Sequence, residues 1–222
     1  VSGSEEFVSM KAALSHINNT LNEDDESAGI VVECQAGKAI NFVGAHQCVV
    51  KRSITIEGNG AYGYFNNSGY ESSKRGEVDF CIEQYDGTNG NPDNRFDHDV
   101  HLTINDLHNF GVWGTRLTVY TFNLELNDCT SSPADYQNQM RIYINGTTGY
   151  NNITLNGCKF YENSSNCTVY SNANGTINVN DCIFDGVSEP ININSKSANV
   201  DVKINVNRCS FNNSGIAKTN GH

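Results

Sequence analysis

The densest group of chemically capable side chains lies in residues 85–101, which run Tyr85-Asp86-Gly87-Thr88-Asn89-Gly90-Asn91-Pro92-Asp93-Asn94-Arg95-Phe96-Asp97-His98-Asp99-Val100-His101. Asp86, Asp93, Asp97 and Asp99 are hard oxygen donors, the ligand type that calcium gathers in sets of about six to eight. The spacing is not that of an EF-hand loop, because a second acidic position two residues after Asp86 and a closing Glu are both missing. His98, flanked by Asp97 and Asp99, offers a second chemistry, since imidazole exchanges protons near neutral pH and makes these three the candidate acid–base residues. A third reading is a polar surface loop built of turn residues, and the sequence leaves all three open. Ligand binding points to Trp113, Tyr85 and Arg116, because aromatic faces stack on sugar rings and anchor protein partners. Further aromatics expected at the surface are Tyr62, Tyr64, Phe65, Tyr70, Phe110, Tyr120, Tyr136, Tyr143 and Tyr150.

The elements that must hold these residues show themselves as an internal repeat. Four segments read apolar, any, apolar, Asn, any, Cys: Leu124–Cys129, Ile153–Cys158, Ile177–Cys182 and Ile204–Cys209. The last three add a Phe two residues after the Cys, at Phe160, Phe184 and Phe211. Leu102–Leu107 is an earlier copy with Leu in place of Cys, and Ile54–Gly58 is a weaker one. The apolar–polar alternation in each copy is that of a short strand with one buried face. Secondary apolar positions at Ile142/Ile144, Val169 and Ile191/Ile193 give a second strand per unit. Units of about two dozen residues with two or three short strands predict a solenoid, not a propeller, whose blades need about 40 residues. Stacked at about 4.8 Å, the recurring Asn would form an amide ladder, and each would also sit at the sharp bend in the αL conformation. The chain is thus expected to be all-β, a parallel β-helix with an N-terminal capping α-helix.

That helix is expected from Phe7, Met10, Leu14, Ile17 and Leu21, with Ser2 or Ser4 as cap and Glu5 and Glu6 in the first turn. One domain over 1–222 is expected: 1–28 capping helix and linker, 29–60 first coils, 61–101 irregular insertion, 102–222 regular coils. Cys129, Cys158, Cys182 and Cys209 recur at one place in the repeat, which predicts a stack of buried thiols acting as small hydrophobes. Zinc does not fit, since no C-x-x-C pair exists. Among the cysteines outside the stack, Cys34–Cys48 is the expected disulfide.

A net charge of −11 with only 14 Lys and Arg argues against nucleic acid and against polyanionic glycans unless calcium bridges them. No run of 18 apolar residues exists, so membrane insertion is not expected. The opening VSGSEE reads as an excised piece of a larger chain.

The Asn-marked strands, together with the "AGKAINF" and "SITIEGNG" segments after the helix, resemble the pectate-lyase/pectin-lyase-like superfamily of right-handed parallel β-helices. That resemblance implies a right-handed coil, asparagine and aromatic ladders, and an extracellular setting, secreted or on the cell surface. The superfamily's hydrolase motifs are missing: Arg141-Ile142-Tyr143 only faintly echoes one, and the Asp24-Asp25 pair lies in the linker. The Asn-rich, Cys-stacked coils also resemble adhesin-like surface proteins of gut anaerobes. The expectation is therefore a non-catalytic surface module that needs no cofactor, calcium aside, and binds a glycan or a host or cell-surface protein. The alternatives are a polysaccharide lyase or glycoside hydrolase of the same fold, and a phage tailspike-like receptor-binding fragment.

Overall fold

The computed structural model describes residues 5–43, 47–64, 78–82, 98–117, 120–131, 141–146, 150–161, 167–171, 174–194, 201–215 and 218–220. Two helices come first, α1 (Met10–Thr20) and α2 (Glu23–Ala28). The early strands are β1 (Ile30–Glu33), β2 (Ala39–Asn41), β3 (Cys48–Val49), β4 (Ile54–Tyr64), β5 (Asp79–Cys81) and β6 (Val100–His108). Then follow β7 (Gly111–Leu117), β8 (Phe122–Asn127), β9 (Ile142–Gly146), β10 (Tyr150–Asn156), β11 (Lys159–Tyr161) and β12 (Cys167–Ser171). The last are β13 (Asn174–Asn180), β14 (Ile183–Asp185), β15 (Glu189–Asn194), β16 (Val202–Asn207), β17 (Ser210–Asn212) and β18 (Lys218–Asn220).

The strands form three sheets, and every described pairing between them is parallel. The first sheet runs β1-β4-β6-β8-β10-β13-β16, with β2 against the far end of β4. The second is β11-β14-β17 and the third β3-β5-β7-β9-β12-β15-β18. Each strand of the first sheet pairs with the next copy of the repeat, and the chain between them passes through the other sheets, which is a parallel β-helix. Ile153 sits between Leu124 and Ile177, and Ile177 is followed by Ile204. Apolar residues at alternate positions face inward, so Leu102, Leu126, Leu155 and Val179 are all fully buried. Phe160, Phe184 and Phe211 stack with centroids 4.9 and 5.0 Å apart and ring planes within 10°.

The bend falls one residue later than the repeat suggested. Positive φ belongs to Asp106 (47°), Asp128 (56°), Gly157 (64°), Asp181 (56°) and Arg208 (52°), each directly after the Asn of its repeat. The Asn keeps an extended backbone so that its amide can reach the neighbouring coil, and its successor takes the turn. Gly157 meets a second constraint, since a Cβ there would lie 2.4 Å from Asp128 Oδ1.

The N-terminus differs from expectation in two places. Helix α1 starts at Met10, not Phe7, because Ser9 is the N-cap and its hydroxyl accepts from the Ala12 N–H at 3.2 Å. Glu5 and Glu6 precede the helix, and Phe7 is partly exposed against the His16 ring. Met10, Ala13, Leu14 and Ile17 are buried on the end of the coil stack, so the helix does act as its lid. The segment read as a linker folds into α2: Asn22 Oδ1 accepts from the Asp24 and Asp25 N–H groups while Asp25 accepts from the Asn22 N–H.

The irregular insertion is shorter than 61–101. Residues 61–64 complete β4, which bends around the corner, 79–81 form β5 in the third sheet, and β6 begins at Val100. The expected Cys34–Cys48 bridge is absent, and both are free, buried thiols. They belong to different sheets: Cys34 follows β1 in the first, while Cys48 lies in the third and donates its S–H to the Phe42 carbonyl at 3.4 Å.

Candidate functional site

Two of the three acid–base candidates, His98 and Asp99, are described, and both make contacts that hold the frame. His98 Nε2 lies 3.1 Å from Glu26 Oε2, and Arg52 donates to the same carboxylate at 3.2 Å. The Ser53 N–H closes the set on Glu26 Oε1. Burial by itself would push Glu26 up, but the Ser53 N–H, His98 and Arg52 together hold its carboxyl below the ordinary value near 4.5. The cluster ties α2 to the starts of β4 and β6. Asp99 Oδ1 accepts the Thr121 N–H at 2.8 Å and fixes the entry into β8. Asp86, Asp93, Asp97 and Tyr85 lie outside the described residues, so of the four calcium candidates Asp99 alone is described. Among the described residues no three His, Cys, Asp or Glu side chains converge as a metal site would require. Glu26 is not among the candidates of the sequence, and the signal that could have placed it on a helix is the Asn22-x-x-Asp25 capping box.

Trp113 sits in β7 and begins an outward column on the third sheet, Trp113–Tyr143–Tyr170. Its rings stack at centroid distances of 4.3 and 4.6 Å with planes within 16°. The Arg141 guanidinium lies 4.9 Å from the Tyr143 centroid. Rings stacked one strand apart cover each other's faces and turn their edges outward. Trp113 therefore lacks the broad free face that sugar stacking needs on the side facing Tyr143. Arg116 is the extra residue of a bulge, where the register between β7 and β9 slips between Thr115 and Leu117. Of the other aromatics, Tyr62 and Tyr150 are exposed as expected, whereas Phe110 is fully buried, edge-on to Phe80. Phe65, Tyr70 and Tyr136 lie outside the described residues.

Among the described residues, the outer face of the first sheet carries ladders of hydrogen-bonded side chains. Its outward residues form three parallel columns, set by the pairing register. In the column next to the bend, Asn105 Nδ2 donates to Glu57 Oε1, Asn127 to Asn105 Oδ1 and Asn156 to Asn127 Oδ1, each at 2.8 Å, and Asn180 to Asn156 Oδ1 at 2.9 Å. Every bond points back towards the N-terminal end, and the ladder starts on Glu57, a carboxylate that accepts and does not donate when ionised. In the middle column Asn178 donates to Thr154 at 3.3 Å and Asn205 to Asn178 at 2.8 Å. In the third, Asn152 donates to Asn123 at 2.9 Å, and Asn123 lies 3.4 Å from His101 Nε2. An amide that spends one N–H and one lone pair inside its column keeps a second of each to offer, although Asn156 Nδ2 also reaches Glu125 Oε1 in the middle column at 3.4 Å. The surface repeats about every 4.8 Å along the rod and about every 6.8 Å across it. Such a grid of paired donors and acceptors suits vicinal hydroxyls.

The fold and its surfaces define a class, an all-β parallel β-helix solenoid with an α-helical lid. Beyond the class, comparison with protein-family models, curated proteins and solved structures finds no match for this chain. No helix among the described residues is long and apolar enough to cross a membrane.

Proposed function

We propose that the chain is a non-catalytic binding module of an extracellular surface protein, presenting the outer face of its first sheet to a neutral glycan. The observation that carries this reading is the grid of hydrogen-bonded amides on that face, held in three columns by the strand register. An extended sugar chain lying along the rod meets one polar side chain per strand, and preorganised amides lose little entropy on binding. The net charge of −11 disfavours a polyanionic chain, so the partner is an uncharged one. His98 and Asp99 are committed to structural contacts, which supports display over catalysis. The likeness to the pectate-lyase/pectin-lyase-like superfamily and to adhesin-like surface proteins agrees with a carbohydrate partner, by analogy of fold.

A neutral-glycan array tests this directly. The wild-type chain is expected to bind, and Asn152→Ala combined with Asn178→Ala is expected to weaken binding at least tenfold while far-UV circular dichroism is unchanged. Absence of binding across the array, or binding untouched by the double substitution, refutes it.

A further inference from the structure

The four cysteines of the repeat form a second ladder, on the inside of the same corner. The register brackets them: Asn156 pairs with Asn180 and Asn207 follows, while Lys159 pairs with Ile183 and Ser210 follows. Each S–H is shared between two carbonyls in the same way, one belonging to the ladder Asn two residues earlier. The other belongs to the preceding coil. For Cys129 these are Asn127 at 3.4 Å and Ile104 at 3.5 Å, and for Cys158 Asn156 at 3.5 Å and Leu126 at 3.4 Å. Cys182 contacts Asn180 at 3.2 Å and Leu155 at 3.6 Å, and Cys209 contacts Asn207 at 3.3 Å and Val179 at 3.4 Å. One arrangement repeated four times sets neighbouring sulfurs about one strand spacing apart, ~4.8 Å. Packing alone does not demand sulfur here. The two preceding coils fill the position with Ala61 and Leu107, both fully buried.

We infer that this thiol column is a binding site for soft, thiophilic, two-coordinate cations of the Cu(I) and Ag(I) class, held between sulfurs of adjacent coils. The geometry decides against a tetrahedral ion, because in-register side chains point the same way and no three ligands converge among the described residues. A linear S–M–S unit needs only two sulfurs. Two metal–sulfur bonds of about 2.3 Å, the length thiolates make to zinc, span ~4.6 Å, close to the strand spacing. Soft thiolate ligands suit Cu(I), zinc and iron–sulfur clusters, and the last two require the four-ligand geometry that the column does not provide. Charge balance suits the apolar interior. A monovalent ion displaces one thiol proton, R–SH + M⁺ → R–S–M + H⁺, and takes the adjacent thiol as a neutral second donor, so no net charge is buried. No electron changes hands. Among the described residues Cys209, half-buried in the last described coil, is the most accessible of the four, whereas Cys129, Cys158 and Cys182 are buried.

Silver is the probe, titrated as Ag(I) nitrate in chloride-free, thiol-free buffer and followed by thiolate-to-metal charge-transfer absorption and native mass spectrometry. The wild-type chain is expected to take up at least one Ag(I), and Cys158→Ala with Cys182→Ala, which leaves no two adjacent coils with thiols, to lower the affinity at least tenfold. The triple variant Cys34→Ala, Cys48→Ala, Cys81→Ala is expected to bind like the wild type. Silver binding that disappears with that triple variant, or survives intact in the Cys158/Cys182 double variant, overturns the inference. Should the double variant lose its β-sheet circular dichroism, X-ray absorption on the silver-loaded wild type decides instead: two sulfur neighbours support the column, and three or more sulfurs or nitrogen and oxygen neighbours overturn it.

Discussion

The first and the last described coils are covered differently although the coils between them follow one pattern. At the N-terminal end α1 lays Met10, Leu14 and Ile17 over the first coils, and none of the three is more than 5% exposed. In the last described coil the inward residues lie at or near the surface. Val206 is 42% exposed, while Leu126, Leu155 and Val179, its counterparts in the same column, are completely buried. The sequence of that last coil is as good a strand as any before it. What differs is the number of neighbours: an inner coil is covered on both sides, and the last described one on a single side. A solenoid coil thus draws its stability from the interfaces above and below it, not from its own residues. The amide ladder is polar in the same sense, since it begins on the acceptor Glu57 and hands each donor backward.

Substitutions can break this comparison or sharpen it. Phe184 lies between Phe160 and Phe211, so Phe184→Ala should cost about 3–5 kcal/mol in urea denaturation, and Phe211→Ala, stacked on one side, less than half of that. Equal costs would mean that the interfaces do not carry the stability. Leu14→Ala removes the centre of the lid and should cost about 3 kcal/mol by the same measurement. A loss near zero would show that the lid is dispensable. The most discriminating pair is Val179→Ala against Val206→Ala, the same change one coil apart: about 2 kcal/mol for the first and below about 1 kcal/mol for the second. The smallest effect expected is on pH dependence. Because the folded-state pKa of Glu26 is depressed, its contribution is fully present above the unfolded value near 4.5 and is lost as pH falls through the folded one. Thermal melts from pH 7 down to pH 3 should therefore show a smaller acid decline for Glu26→Gln than for the wild type, and parallel curves would remove Glu26 from the acid response.

The repeat was legible because a buried column demands the same residue type at each pass of the chain. Leu124, Ile153, Ile177 and Ile204 announced the first sheet, and the Phe160–Phe184–Phe211 stack followed from the same alignment. The site was legible only in part. Trp113 stood out as a lone large aromatic, but its partnership with Tyr143 and Tyr170 depends on register between strands about thirty residues apart. His98 looked like an acid–base residue beside Asp97 and Asp99, and its actual partner Glu26 is 72 residues away. Nothing in local spacing reports a contact of that range. The capping box Asn22-x-x-Asp25 is a local signal, masked because a run of acidic residues resembles a solvated linker.

By itself the sequence determined the strand alternation, the period of the coils, the identity of each column and the acidity of the whole, since these depend on residue types and intervals along one chain. The tertiary structure alone decided which residue takes the left-handed turn, that the aromatic faces close on each other, that the ladder amides all point one way, and that α2 is pinned through Glu26. Those outcomes depend on groups brought within a few ångströms by the closing of a coil, and hydrogen bonds and ring contacts act only at that distance.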